Sequence, residues 1–112
     1  MKWILVSTLA LALLSTACRG VRRGQPITGP LAVNTPQVQQ GRLAYAAHCY
    51  QCHPGGEGGL GPALNDKLFP VWLMKTQVRL GLGVMPGFGN ETISDQELDD
   101  LMAYVIALRK DI

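Results

Sequence analysis

The chain has 112 residues, of which 16% are charged, and a formal net charge of +2. That length holds one domain and no more. No basic stripe runs through the body of the chain, which argues against a nucleic-acid partner.

The first residues read as an export signal. Lys2 supplies a positive start, Trp3 to Leu14 is an apolar run broken only by Ser7 and Thr8, and Ser15, Thr16 and Ala17 are small. The run falls short of the ~20 apolar residues that a membrane span needs. Loss of residues 1–17 would remove Lys2 and leave nine basic against eight acidic residues. Arg19, Arg22 and Arg23 then crowd the new N-terminus, suited to anionic lipid or to plain solvent. The segment Leu14-Ser15-Thr16-Ala17-Cys18 resembles a bacterial lipobox, whose cysteine is lipidated and becomes N-terminal. Ser15 stands where that motif usually has leucine. Lipidation at Cys18 is the preferred reading, with ordinary signal cleavage as the alternative. The expected location is the periplasm, held at a membrane surface by acyl chains or free in solution. Residues 18–34, with Gly20, Gly24, Pro26, Gly29 and Pro30, read as a flexible tether. Residues 35–112 are the expected domain.

Three helices are predicted in that domain. Thr35 caps the first and Pro36 opens it; it runs through Val38, Gly41, Arg42 and Tyr45 into Cys49. Residues 54–62, Pro-Gly-Gly-Glu-Gly-Gly-Leu-Gly-Pro, leave no room for a helix or strand. Pro70 opens a second helix carrying Val71, Trp72, Met74, Val78 and Arg79, which Gly81 and Gly83 end. Ser94 and Glu97 form a capping box for the last, in which Leu98, Leu101, Met102, Val105 and Leu108 recur at helical spacing. No convincing strand is found. A domain of under ~80 residues seldom stabilises itself without a staple such as a metal or crosslink.

Cys49-Tyr50-Gln51-Cys52-His53 supplies one. C-x-x-C-H is the attachment signature of c-type haem. Cysteines three residues apart share one face of a helical turn, so both sulfurs reach the vinyl groups of one haem, and His53 follows to ligate the iron. The rival readings are weaker. A redox-active C-x-x-C needs a βαβ setting. A structural zinc site needs four ligands, usually in two separated pairs. A disulfide across so short a loop adds little. For the opposite side of the iron, Met85 is the candidate. It lies in Gly81-Leu82-Gly83-Val84-Met85-Pro86-Gly87-Phe88-Gly89, where helix-core packing does not account for it. Met/His ligation is typical of cytochromes c. Met74 and Met102 suit helix cores, and His48 is the alternative ligand. Trp72 and Arg79, both hydrogen-bond donors, are candidate contacts to the haem and its propionates, or else a core Trp and a solvated Arg.

Over residues 36–110 the chain resembles a class I monohaem cytochrome c of the small bacterial kind. The likeness rests on the Gly41/Tyr45 helix ending in Cys49-Tyr50-Gln51-Cys52-His53, on Gly61-Pro62-Ala63-Leu64, on Met85-Pro86, and on the last helix with Leu101 and Tyr104. The resemblance implies an all-α fold of three to four helices around one covalent haem. It implies that Pro62 offers its carbonyl to the second nitrogen of His53 and fixes its tautomer. It also pairs Gly41 and Tyr45 with Leu101 and Tyr104 at a crossing of the first and last helices. The expected function is single-electron transfer, not catalysis, between a redox donor and an acceptor that the sequence does not name. The alternatives are a haem enzyme subunit with a displaceable sixth ligand, acting as a peroxidase or on sulfur compounds, and a redox- or gas-sensing module.

Overall fold

The computed structural model describes residues 30–110. The expected export signal, Cys18 and the first part of the tether lie outside the described residues. Three helices follow in order: α1 (Pro36–His48), α2 (Val71–Leu80) and α3 (Asp95–Lys110). Among the described residues there is no strand, only an isolated antiparallel bridge between Leu82 and Met85. The fold is all-α, as expected. None of these helices is long and apolar enough to cross a membrane.

Each helix starts where a local signal tells it to. The Thr35 hydroxyl accepts from the Val38 N–H at 3.2 Å, and Pro36 takes the first turn, where its missing N–H costs nothing. Pro70 caps α2, and Gly81, at φ 71°, ends it. At α3 the capping box is reciprocal. The Glu97 N–H donates to the Ser94 hydroxyl at 3.2 Å, and the Ser94 N–H donates to the Glu97 carboxylate at 2.8 Å. Those Ser94 bonds hold the Glu97 carboxyl below its usual range.

The core forms where α1 crosses α3. Val38 and Tyr45 of α1 join Leu98, Leu101, Met102, Tyr104, Val105 and Leu108 of α3 in one buried cluster, with Val78 of α2 and Ile93 beside them. The crossing is close because Gly41 has no side chain. A Cβ there would fall 1.9 Å from the Asp100 carbonyl oxygen and 2.9 Å from the Tyr104 Cβ. One turn later the Tyr45 and Tyr104 rings meet, centroids 5.0 Å apart and tilted by 60°, a favoured arrangement for aromatic pairs.

Two details depart from the sequence pattern. Residues 54–56 form a 3-10 turn where no regular structure was expected. Pro54 fixes the entry dihedral, and Gly55 adopts φ 57°, which closes the turn within three residues. At the end of the expected tether, Leu31 and Val33 pack against the core.

The Gly41 contact is with backbone, which cannot rotate away. Gly41→Ala should therefore force the helices apart and destabilise the protein by about 3 kcal/mol, the upper end of overpacking costs. Ala at the exposed α1 position Gln39 should change stability by less than about 0.5 kcal/mol. Denaturant midpoints of the two variants check this.

Candidate haem site

The motif begins where α1 stops. Cys49 caps the helix, its N–H on the Tyr45 carbonyl at 2.8 Å. Its own carbonyl accepts from both Cys52 N–H at 3.1 Å and His53 N–H at 2.9 Å. The chain thus winds one further turn and carries both half-buried cysteines with it. Burial, with a smaller contribution from Cys52, pushes the Cys49 thiol up to about 11. The βαβ setting that a redox-active C-x-x-C needs is not found among the described residues, which carry no strand. Among the described residues no three His, Cys, Asp or Glu side chains come together as a metal site, which counts against structural zinc.

His53 is buried and tightly bracketed. Its Nδ1 lies 2.7 Å from the Pro62 carbonyl oxygen. A carbonyl only accepts, so Nδ1 carries the hydrogen and Nε2 keeps a free lone pair. The backbone of Gly61 lies flat against the ring, where a Cβ would fall 2.2 Å from Cε1. Ring orientation and tautomer are both imposed, as in metal-ligating histidines generally. These residues fit a c-type haem: two thiols on one turn, then an imidazole with one nitrogen held and the other available.

Tyr45 ties this turn to the core. Its hydroxyl donates to the His53 carbonyl and accepts from the Gly56 N–H at 3.1 Å. Burial raises the hydroxyl's pKa well above the usual tyrosine value, so it stays protonated and remains a donor. The family resemblance implies only the helix crossing for Tyr45; a tyrosine gives no sign of where its hydroxyl will land.

Met85 is half-buried at the edge of the core. The Leu82 and Met85 backbones exchange hydrogen bonds of 3.1 and 3.0 Å, closing a tight turn. The Gln77 amide Nε2 approaches the Met85 Sδ at 3.6 Å. Gln77 belongs to no motif, and nothing in the sequence singles it out. His48, the alternative ligand, meets Phe88 edge-on with ring centroids 5.6 Å apart. That contact brings the Met85 loop against the end of α1.

For Trp72 and Arg79 the alternatives to a haem contact, a core Trp and a solvated Arg, do not hold. Trp72 is 67% exposed and so is no core residue, while its carbonyl accepts from the Thr76 hydroxyl at 2.9 Å. Arg79 was expected to reach a propionate or to be solvated. Instead its guanidinium bonds the Phe88 and Ile93 carbonyls and the Asp95 carboxylate. Those acceptors occupy both terminal nitrogens.

Comparison with known proteins agrees with the site. The family model described as cytochrome c oxidase, cbb3-type, subunit III matches residues 36–105. The chain belongs to the class I cytochrome c family. It is a small monohaem member that binds haem c covalently, with Cys49 and Cys52 spaced as the attachment motif requires. Cytochrome c6 of a Synechocystis strain is 32% identical over 77 residues, covering 62% of this chain and 63% of that protein. Cytochrome c6 of Cyanidioschyzon merolae is 32% identical over 81 residues, covering 65% and 76%. That of Gloeothece citriformis is 35% identical over 74 residues, covering 59% and 66%. The chain thus spans somewhat under two thirds of the Synechocystis relative.

In this cytochrome c, Tyr45→Phe should leave the buried Gly56 N–H and His53 carbonyl without their partner. The cost should be about 1–3 kcal/mol, read as a lowered denaturant midpoint of the haem-loaded protein with the haem still attached.

Proposed function

We propose that the protein is a single-electron carrier working outside the cytoplasm, with His53 and Met85 as the axial pair. Haem, when bound, supplies a one-electron iron couple whose potential the polypeptide sets. Cys49 and Cys52 would hold the macrocycle through thioethers. The carrying observation is the His53 imidazole, whose Nδ1–H is held by the Pro62 carbonyl, so that Nε2 of the neutral ring has its lone pair free for iron. The cytochrome c6 relatives support an electron carrier rather than an enzyme. Met85 is supported as the second ligand by its tight Leu82–Met85 turn, which holds the thioether at a fixed place at the core edge. Trp72, on α2, would border the macrocycle. The donor and acceptor are redox proteins of unspecified identity.

The ligand pair is tested by replacing the thioether. A thioether is soft and neutral and raises the potential relative to other ligands. Met85→Ala should lower the reduction potential, abolish the ferric iron–sulfur charge-transfer band and speed cyanide binding, while haem stays covalently attached. Met74→Leu and Met102→Leu should keep the band and cost under about 1.5 kcal/mol. A wild-type protein without the band, binding cyanide at once, would favour an enzyme or sensor with an open sixth position.

Anchoring rests on Cys18 and its lipobox-like approach. If Cys18 carries acyl chains, wild-type protein expressed with its leader should sediment with membranes. Cys18→Ala should then shift it to the soluble fraction or block processing. An unmodified Cys18 or Arg19 at the mature N-terminus, seen by mass spectrometry, would refute lipidation.

A further inference from the structure

We propose that Arg79 is a positioning residue that pins the loop carrying Met85, through the Phe88 and Ile93 carbonyls, to the turn that leads into α3, and so sets how readily Met85 leaves the iron. The proposal rests on Met85 being the axial ligand.

The loop leaves α2 and returns along it at very short range. At Gly81 a Cβ would fall 2.5 Å from the Met85 carbonyl oxygen, and at Gly87 a Cβ would fall 2.7 Å from the Arg79 carbonyl oxygen. The return is sealed by Phe88 N–H donating to the Val78 carbonyl at 2.8 Å. Beyond Phe88 the chain turns again, with Ile93 N–H on the Gly89 carbonyl at 3.0 Å, and enters α3. The Arg79 side chain closes this whole excursion. Nη1 donates to the Phe88 carbonyl at 3.1 Å and the Ile93 carbonyl at 2.6 Å. Nη2 donates to Asp95 Oδ1 at 2.7 Å and reaches Asn90 Oδ1 at 3.5 Å. One rigid fork therefore joins the end of α2, the far side of the Met85 loop and the first residue of α3.

The contacts are unequal. Asp95 is 87% exposed in its side chain, against 24% for Arg79. An ion pair with one partner so exposed contributes little. The carbonyls differ, because Ile93 is buried at 1% exposure and its oxygen takes a charge-assisted bond. The two carbonyl bonds are thus the working part. A lysine cannot reproduce them, since its single ammonium lacks the planar fork. The Lys75–Asp99 pair also joins α2 to α3, both partners being substantially exposed, but touches no residue of the loop.

Cyanide binding to the ferric haem-loaded protein tests the assignment, because cyanide must wait for Met85 to leave. Arg79→Gln should speed binding about tenfold, equivalent to about 1.4 kcal/mol. Arg79→Lys should recover little of this, whereas Asp95→Asn and Lys75→Ala should stay near the wild-type rate. All variants should retain the charge-transfer band at neutral pH. If Arg79→Gln and Arg79→Lys melt at lower temperature but bind cyanide at the wild-type rate, Arg79 is merely a structural brace and the proposal is overturned. It is equally overturned if Lys75→Ala or Asp95→Asn accelerates binding as much as Arg79→Gln. Absence of the band from wild type would instead show that Met85 is not the ligand, and the proposal would fall with that assignment.

Discussion

The close crossing of α1 and α3 at Gly41 is the constraint on which the rest depends. Two helices can approach this nearly only where one has no side chain, and here the facing atoms are the Asp100 carbonyl and Tyr104 Cβ. Because α1 is pinned there, its next turn delivers Tyr45 into the core at a fixed height. Tyr45 in turn holds the His53 carbonyl and Gly56 N–H. A packing contact remote from the C-x-x-C-H turn thus fixes the backbone that carries the His53 imidazole. Register is transmitted along one helix, since side chains four residues apart lie on one face.

His53 is set by neighbours that contribute no side-chain chemistry. Pro62 supplies a carbonyl and Gly61 a bare backbone face. Both lie beyond the 3-10 turn in a stretch without helix or strand, so its polar backbone groups turn elsewhere. The Gly61 N–H goes back to the Cys52 carbonyl at 2.9 Å, and the Gly56 carbonyl accepts from Leu64 at 2.6 Å and Asn65 at 3.0 Å. Irregular backbone here is held by internal bonds, as buried backbone must be. An imidazole held in this way has little freedom to reorient.

The loop carrying Met85 is built on the opposite plan. It is a short excursion between two helices, closed by backbone pairs and one guanidinium. Loops are where proteins place adjustable parts, because fewer buried contacts resist their movement. The His53 turn is locked through the core by Tyr45, whereas the Met85 loop is held by a clasp at Arg79.

Much of this was legible in the sequence because it depends on short-range rules. Thr35-Pro36, Pro70, Gly81 and the Ser94/Glu97 box act within a turn of themselves, so the three helices and their starts follow from composition and spacing. Cys49, Cys52 and His53 were legible because a single haem demands its attachment points within one turn. The 3-10 turn at Pro54–Gly56 was not read, since glycine is compatible with too many conformations for composition to select one. The hydrogen-bond partners of Tyr45, Gln77 and Arg79 could not be read. Each depends on a partner eight or more residues away, brought near only when helices cross or a loop folds back. Which elements form and which residues can bear chemistry are local properties of the chain, and so they were legible in its sequence. That the Tyr45 hydroxyl meets the His53 carbonyl, and the Arg79 guanidinium the Phe88 and Ile93 carbonyls, came from the fold alone, because a hydrogen bond's partner is chosen by packing in three dimensions.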